Sequence, residues 1–270
     1  MLDSKTKLIS LLGHPVEHSI GPAMHNAAFK ETGLNFVYLA FDTTHLNTAL
    51  AAMKGLNFRG FSVTIPHKQK IVELLDRVDP LAAKILAVNT VVNENGVLVG
   101  YNTDSDAAIN ALKGKISLSG KKVALLGAGG ASRAIAFGLQ QEKALTTIFN
   151  RTFEKAKSLA KAVGCEYSQF EKLESFKPEI IINATSVGMS PKSASSPVDK
   201  RVLKNKPLVF DVVYTPLETV LLKQAKTAGC ETVSGLEMFL EQGAEQFKLW
   251  TGQDAPRELM REVVERELAK

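Results

Sequence analysis

The chain has 270 residues, of which 45% are hydrophobic and 23% are charged. This composition is typical of a globular protein of one or two domains and excludes disordered, collagen-like and low-complexity chains. No stretch without Asp, Glu, Lys or Arg exceeds twelve residues, whereas a membrane-spanning helix needs roughly 20 apolar residues. The N-terminus has no signal-peptide pattern, and the two cysteines, Cys165 and Cys230, lie far apart. We therefore expect a cytoplasmic protein without disulfides or a membrane anchor.

The net charge of +5 is distributed unevenly along the chain. Residues 1–104 contain nine basic and nine acidic residues. Residues 105–237 contain nineteen basic and twelve acidic residues, and residues 238–270 contain five basic and seven acidic residues. The excess in the middle segment predicts a bound small polyanion. Nucleic acid is a poor alternative, because no run of Lys and Arg is longer than a pair and few aromatic residues lie among them.

Strands and helices alternate through the first part of the chain. Glycine or proline follows several of them closely, as at Gly33, Gly55 and Pro66. Asn95 and Gly96 are typical of a tight hairpin turn. The predicted elements are strand 7–12, helix 23–32, strand 35–41, helix 44–54, strand 60–64, helix 67–75 and the hairpin strands 88–92 and 97–101.

The second part shows the same alternation and then ends in two long amphipathic helices. The predicted elements are strand 122–126, glycine loop 127–130, helix 131–140, strand 146–149, helix 153–163, strands 180–182 and 208–213, and helices 216–228, 236–250 and 256–269. This order predicts an α/β protein of two domains. We expect an N-terminal α/β domain of residues 1–104, completed by helices within 238–270, and a Rossmann-type dinucleotide-binding domain of residues 105–237.

The glycine loop predicts a dinucleotide site. It follows a buried strand and opens a helix, so Gly127 permits the turn, Gly129 admits a pyrophosphate, and the helix N-terminus offers free N–H groups. Glycine is also common in tight turns that bind nothing, and Ser132 stands at the last glycine position of the motif.

The end of the next strand indicates which dinucleotide is bound. An NAD site usually has an acidic residue about 20 residues after the loop, whereas here Asn150, Arg151 and Thr152 are followed by Lys155. A guanidinium group suits the 2′-phosphate of NADP. The alternative is a solvated Arg151 beside Thr152 acting as a helix N-cap.

Lys68 and Asp104 are candidates for proton transfer. Each lies in an otherwise uncharged, loop-like segment, Lys68 at the start of a predicted helix and Asp104 at the end of a strand. The positive end of a helix dipole disfavours a charged ammonium group and so lowers its pKa. A lowered pKa brings a lysine closer to the range that is useful for proton transfer. The alternative is a surface lysine and an Asp N-cap.

Further polar residues follow strand ends, where α/β folds bind ligands. They suit a small, hydroxyl-rich, anionic molecule, and they include His18, Ser19, Asn26, Thr64, Asn89, Thr90 and Asn102. The five histidines do not share a metal-ligand spacing, so we predict no metal site.

Nine short motifs occur in order along nearly the whole chain. They are His18-Ser19 with Pro22 and His25-Asn26, Val63-Thr64 with Pro66 and Lys68, Ala87 to Thr90, Asn102 to Asp104, Gly127 to Ala131, Asn150 to Thr152, Asn183 to Met189, Asp211 to Pro216, and Gly235 to Met238 with Gln242. Together they resemble the NADP-dependent shikimate dehydrogenases, which reduce 3-dehydroshikimate in aromatic amino-acid biosynthesis.

The resemblance implies a role for each motif. Lys68 would exchange a proton with the carbonyl oxygen, and Asp104 would bind and orient the reacting hydroxyl. Ser19 and Tyr214, with position Gly21, would meet the substrate carboxylate, and Thr64, Asn89 and Gln242 the ring hydroxyls. NADP would be held by Gly127, Ala128, Gly129, Gly130, Ala131, Asn150, Arg151, Thr152, Lys155, Val212 and Gly235. A cleft between the domains would close over shikimate and NADP, and the protein would be a monomer or homodimer that binds neither nucleic acid nor membrane.

The chain departs from the family pattern at several positions. The family usually has serine at Gly21, asparagine at Ser62, glycines at Ser105 and Ala107, and a basic residue at Glu154. Ser62 is similar to quinate/shikimate dehydrogenases, so a paralogue using quinate, with NAD or NADP, is an alternative. An alternative of another class is a catalytically silent NADP-binding sensor.

Overall fold

The computed structural model describes residues 2–270, which form two compact units. The first comprises residues 2–103 and Leu240–Lys270, and the second comprises Asp104–Phe239. The C-terminal residues thus complete the first unit, and Asp104 is the first residue of the second.

The first unit is built on a six-stranded mixed sheet. Its strands are β1 (Lys7–Gly13), β2 (Phe36–Asp42), β3 (Gly60–Val63), β4 (Arg77–Val78), β5 (Thr90–Glu94) and β6 (Val97–Tyr101). The spatial order is β2-β1-β3-β5-β6-β4. The strands β1, β2 and β3 run parallel, whereas β5 is antiparallel to β3 on one side and to β6 on the other, and Asn95 and Gly96 form the turn of the β5–β6 hairpin.

Helices cover the faces of this sheet. The helices of the N-terminal segment are α1 (Gly21–Glu31), α2 (Leu46–Gly55) and α3 (Pro80–Ile85). The C-terminal segment adds most of α9 (Gly235–Thr251) and all of α10 (Arg257–Leu268), which packs on α1. Buried side chains such as Leu12, Phe61 and Val91 fill the space between α2 and the sheet.

The second unit has a parallel six-stranded sheet. Its strands are β7 (Lys122–Leu126), β8 (Leu145–Phe149), β9 (Glu166–Ser168), β10 (Ile180–Asn183), β11 (Leu208–Asp211) and β12 (Thr232–Ser234). The spatial order β12-β11-β10-β7-β8-β9 is that of a Rossmann fold, with the topological switch point between β7 and β10. The central strands are buried on both faces and are short apolar runs such as Ile180–Asn183, whereas the edge strand β9 is partly exposed.

Five helices accompany this sheet. They are α4 (Asp104–Lys113), α5 (Gly130–Gln141), α6 (Phe153–Val163), α7 (Leu173–Phe176) and α8 (Val220–Thr227). The helix α5 packs closely on α4 at Gly138, where a Cβ atom would lie 2.5 Å from Ile109 Cγ1. Within residues 2–270, no helix combines the length and apolarity required to cross a bilayer.

One element differs in kind from its prediction, and another begins later than predicted. The predicted helix 67–75 is a turn followed by a 3-10 helix, Lys70–Leu74. The predicted helix 216–228 begins only at Val220, because the Thr219 hydroxyl caps it by accepting the Leu222 N–H at 3.3 Å.

A buried histidine lies in the core of the first unit. His25 on α1 stacks on Tyr38 at a centroid distance of 4.7 Å and meets Trp250 edge-on at 5.2 Å. Burial lowers the pKa of His25 from 6.5 to about 3, despite an opposing hydrogen bond with Gln246. His25 is therefore neutral in the folded protein across the physiological range.

This histidine predicts a loss of stability in acid. Unfolding returns the pKa of His25 to its ordinary value of 6.5, so the unfolded chain binds a proton at this histidine below about pH 6.5. In the folded chain the same histidine is protonated only below about pH 3. Between pH 7 and pH 5 this linkage costs about 2 kcal/mol of folding free energy. Urea unfolding at both pH values measures it. The decrease in the free energy of unfolding from pH 7 to pH 5 should be about 2 kcal/mol smaller in His25→Phe than in the parent protein. In the exposed control His45→Asn it should equal that of the parent. Equal decreases in all three proteins would refute the prediction.

Candidate active site

Backbone hydrogen bonds bring three predicted site residues of the first unit together. The Val63 N–H donates to the Asn89 carbonyl at 2.7 Å, and the Val88 N–H donates to the Lys68 carbonyl at 2.8 Å. Thr64 follows Val63 at the end of β3, and its N–H donates to the Leu12 carbonyl at 2.9 Å. Thr64, Lys68 and Asn89 therefore share one rigid frame at the carboxyl end of β3.

The segment carrying Lys68 is anchored from one side. The buried His67 ring lies 2.6 Å from the Thr43 carbonyl through Nε2, while Lys68 itself is half-buried. The sequence predicted that Lys68 lies at the positive end of an α-helix dipole. No α-helix begins at this position, so this segment provides no such dipole. The main chain of Lys68 is held in this turn by the bond that its carbonyl accepts from the Val88 N–H.

Ser19 and Gly21 lie together at the start of α1. The Gly21 N–H donates to Ser19 Oγ at 3.2 Å. A Cβ atom at Gly21 would lie 3.2 Å from Ser19 Oγ and 3.4 Å from Tyr38 Oη. Two hydroxyl groups therefore flank the place where a side chain at position 21 would begin.

Asn89 is connected to Gln242 through Thr103. Asn89 Nδ2 donates to Thr103 Oγ1 at 2.9 Å, and the Thr103 hydroxyl donates to the Gln242 carbonyl at 3.2 Å. The Thr103 N–H donates in turn to Asn89 Oδ1 at 2.9 Å. These bonds fix which side of the Asn89 amide carries oxygen, and they tie the start of β5 to α9.

The glycine loop of the second unit has the geometry of a phosphate site. Gly127 has φ of +112° and donates its N–H to the Phe149 carbonyl at 2.8 Å. No heavy atom lies within 4 Å of a Cβ built at Gly129, so a ligand can approach its backbone. Gly129 caps α5 without a side chain, and the first turn, which includes Gly130 and Ala131, holds no acidic residue. These features fit a bound diphosphate.

The end of β8 supplies positive charge beside this loop. The Gly127–Phe149 hydrogen bond places Asn150 next to the loop, and Asn150 Nδ2 donates to the Thr152 carbonyl at 2.9 Å. Arg151 and Lys155 are exposed. Thr152 stands at the N-cap position of α6, but its side chain makes no capping bond. Thr152 is thus the N-cap residue of α6, as the alternative interpretation predicted, and it caps the helix without its side chain.

The remaining predicted residues of the second unit lie at helix starts and strand ends. Asp104 is buried at the first position of α4, where a negative charge is favoured by the helix dipole. Tyr214 follows β11 and stacks on Phe239 at 4.4 Å, and burial raises the pKa of its hydroxyl to about 12. Gly235 approaches Val212 so closely that a Cβ would lie 2.3 Å from the Val212 carbonyl oxygen.

Metal-binding side chains do not cluster in the described part of the chain. Residues 2–270 contain no group of three or more His, Cys, Asp or Glu side chains placed to hold a metal ion.

Comparison with known proteins identifies the family. Three family models match: the shikimate dehydrogenase substrate binding domain over residues 11–91, shikimate / quinate 5-dehydrogenase over 108–213, and the shikimate 5'-dehydrogenase C-terminal domain over 235–265. A shikimate dehydrogenase (NADP(+)) of Caldanaerobacter subterraneus is 42% identical, covering 99% of both chains.

The chain belongs to the shikimate dehydrogenase family.

Solved structures of this family agree over the full length. A crystal structure of a shikimate dehydrogenase in complex with NADP+ superposes with a TM-score of 0.95 at 43% identity, covering 100% of this chain and 98% of the other. The Thermus thermophilus shikimate 5-dehydrogenase in complex with NADP(H) and shikimate superposes with a TM-score of 0.90 at 38% identity, covering 97% of this chain and 100% of the other.

Three departures from the shikimate dehydrogenase pattern have structural counterparts. Tyr38 Oη lies beside the bare backbone of Gly21. Tyr38 also donates to Ser62 Oγ at 2.9 Å, so the shorter Ser62 is bonded within the core. The third, Ser105, is fully buried, and its Oγ would lie 3.0 Å from a Cβ at Gly138. Ser105 thus fills space between α4 and α5.

A buried polar cluster that was not predicted lies where β10 and β11 of this shikimate dehydrogenase fold end. Asp211 is fully buried at the end of β11 and accepts from Thr219 Oγ1 at 2.6 Å and Asn183 Nδ2 at 2.9 Å. Burial raises the pKa of Asp211, and these hydrogen bonds oppose the rise. The signal was present, because Asn183 and Asp211 each end an apolar strand.

Proposed function

We propose that this protein is an NADP-dependent shikimate dehydrogenase, an oxidoreductase that reversibly reduces 3-dehydroshikimate to shikimate. The first unit would hold the substrate and the second NADP. The observation that carries the proposal is the frame of Thr64, Lys68 and Asn89, which lies in the segment matched by the substrate-binding family model. The names of the curated relatives support the same activity.

In this mechanism the protein positions the substrate and transfers one proton. When bound, NADPH supplies the hydride for the carbonyl carbon. Lys68 donates a proton to the carbonyl oxygen as that oxygen gains charge, and in the reverse direction it accepts the proton. Asp104 accepts the hydrogen bond of the reacting hydroxyl and orients it. After reduction, Lys68 regains its proton from water.

The other predicted residues bind the two ends of the substrate and the cofactor. Ser19 and Tyr214 hold the carboxylate as hydroxyl donors, and burial raises the pKa of the Tyr214 hydroxyl still further above neutral pH. Thr64, Asn89 and Gln242 bind ring hydroxyls. The glycine loop would hold the diphosphate of NADP. The adenosine side would be bound by Asn150, Arg151, Thr152 and Lys155, and the nicotinamide would be lined by Val212 and Gly235.

The direct test is turnover measured by absorbance of reduced nicotinamide. Purified protein is offered shikimate or quinate, each with NADP+ or NAD+. We expect efficient turnover of shikimate with NADP+, with much lower rates in the other three combinations. A protein that binds NADP+ but turns over neither acid would instead be the silent sensor, and the proposed activity would be wrong.

A second candidate is a quinate/shikimate dehydrogenase, and Gly21 favours it. Quinate carries an extra hydroxyl on the carbon that bears the carboxylate. Gly21 is buried, and a Cβ built there would lie 3.2 Å from Ser19 Oγ and 3.4 Å from Tyr38 Oη, so two hydroxyl groups are within reach of a hydroxyl bound at this position. A family model that matches the second unit is itself described as shikimate / quinate 5-dehydrogenase.

Restoring a side chain at position 21 separates these candidates. Gly21→Ser has room with small shifts, because its Cβ contacts are 3.2 Å or longer. If Gly21 admits quinate, the variant should lower kcat/KM for quinate about tenfold relative to shikimate, the loss expected from crowding and one hydrogen bond. Steady-state kinetics on both acids measures the ratio. Gly55→Ser is the control, because Gly55 is an exposed glycine of the same unit with no heavy atom within 4 Å of a built Cβ, and an unchanged ratio in Gly21→Ser would exclude this role.

We also propose that the protein acts in the cytoplasm as a monomer or homodimer. Its ligands would be the two small molecules alone, with neither nucleic acid nor membrane as a partner. The charge distribution supports this view, because the basic excess lies in the segment that carries the glycine loop.

A further inference from the structure

A chain of buried side-chain hydrogen bonds crosses the first unit. Its links, donor first, are Tyr38 Oη to Ser62 Oγ at 2.9 Å, Ser62 Oγ to Gln246 Oε1 at 3.0 Å, Gln246 Nε2 to Thr90 Oγ1 at 3.0 Å, Thr90 Oγ1 to Asn89 Oδ1 at 2.8 Å and Asn89 Nδ2 to Thr103 Oγ1 at 2.9 Å. Every link donates in the same direction, and all six residues are buried. Such a series is cooperative, because each donor is polarised by the bond it accepts.

Gln246 is the central link of this chain. It projects from α9 and is 3% exposed. Ser62 and Thr90 are paired across β3 and β5, and the Gln246 amide bridges their two hydroxyls. Its Nε2 also lies 3.3 Å from the Asn89 carbonyl oxygen. An amide suits this place because it offers one acceptor and two donors in a fixed plane.

The two ends of the chain are places where the proposed function puts substrate groups. At one end, Tyr38 Oη lies beside Gly21 and Ser19, where the carboxylate would bind. At the other end, Asn89 is the predicted ligand of a ring hydroxyl. Gln246 therefore connects the two binding regions from inside the core, without belonging to either.

We propose that Gln246 is a positioning residue for the substrate. By accepting from Ser62 and donating to Thr90, it sets the direction of both hydroxyls, and through Thr90 it fixes the orientation of the Asn89 amide. Both ends of the substrate site are thereby oriented before binding, which lowers the entropic cost of binding. The inference rests on the proposed function, since only that function makes Asn89 a substrate ligand.

The test replaces the amide while keeping the length of the side chain. Gln246→Met should raise KM for shikimate about tenfold and leave KM for NADP+ within twofold of the parent. Thr90→Val removes the next link with little change of shape and should have the same effect. If Gln246→Met fails to fold, Thr90→Val decides the question alone. The matched control is Gln224→Met, the same change on α8 of the second unit, which should alter neither KM.

A double-mutant cycle separates positioning from a general loss of stability. Ser62 and Gln246 are joined by one hydrogen bond of this chain, which either substitution removes. We therefore expect KM for shikimate in the double variant Ser62→Ala/Gln246→Met to rise by less than the product of the two single increases. Multiplicative losses, equal rises in both KM values, or an unchanged KM for shikimate would overturn the inference. A parent protein that does not turn over shikimate would overturn the proposed function first, and this inference with it.

Discussion

Replacing Lys68 with methionine should lower kcat for shikimate oxidation by about a thousandfold, within the range that one general acid or base contributes. Methionine keeps the length of the side chain and removes the exchangeable proton. The frame around it is set by main-chain bonds, including that from the Val88 N–H to the Lys68 carbonyl. We therefore expect KM for shikimate to change far less than kcat. Steady-state kinetics with saturating NADP+ measures both.

A neighbouring lysine provides the matched control for this prediction. Lys70 is exposed and begins the 3-10 helix two residues later. Lys70→Met should leave kcat within a factor of about two. Addition of a small primary amine should restore part of the activity of Lys68→Met, because such an amine can replace the missing ammonium group. A Lys68→Met protein as active as its parent would remove Lys68 from the proton-transfer step.

Much of the second unit was predictable from local pattern. The predicted ranges 122–126 and 153–163 coincide with β7 (Lys122–Leu126) and α6 (Phe153–Val163). Each has a sharp physical end. A glycine in the turn follows β7, and Gly164, with φ of +79°, ends α6 in a conformation that other residues rarely adopt. The predicted Rossmann-type fold is confirmed by the strand order.

Two helices that were not predicted, α4 and α3, begin at or just after an aspartate, and one of these, Asp104, was interpreted as the end of a strand. The helix α4 starts at Asp104, with Asp106 also in its first turn. The helix α3 follows Asp79, whose carboxylate accepts the Leu81 N–H at 2.9 Å, and has Pro80 at its first position. Both patterns are typical of helix N-termini. Both signals were local, and at Asp104 the predicted strand 97–101 directly before it favoured the other interpretation.

The hydrogen-bond chain through Gln246 could not be predicted in this way. Gln246 and Thr90 are separated by 156 residues in sequence, and no local spacing relates them. Gln246 lies on a long helix whose pattern indicates only a buried face. Its two partners face it because β3 and β5 are antiparallel neighbours in a particular register. Local motifs thus indicate ligand-facing residues, whereas the groups that orient them depend on sheet register and helix packing.

The largest expected change in cofactor choice follows from Arg151. This residue is exposed at the end of β8, beside the glycine loop, and no acidic residue replaces it there to bind a free ribose 2′-hydroxyl. Its guanidinium group would meet only the 2′-phosphate of NADP+. Loss of a charge-assisted hydrogen bond costs about 2 kcal/mol, which corresponds to a factor of about 30 in affinity. Arg151→Ala should therefore raise the dissociation constant for NADP+ about 30-fold and leave that for NAD+ nearly unchanged.

Direct binding decides this prediction independently of any assignment of catalytic residues. Calorimetric titration of the protein with NADP+ and with NAD+, without substrate, gives the ratio of the two constants. Raised salt should weaken NADP+ binding in the parent more than in Arg151→Ala, because the contact is between exposed charges. Arg201→Ala is the matched control, since Arg201 is an exposed arginine of the same unit that pairs with Asp199 at 3.1 Å. If the ratio in Arg151→Ala equals that of the parent, the selectivity for NADP+ must come from other residues of the β8–α6 turn, with Lys155 the next to replace.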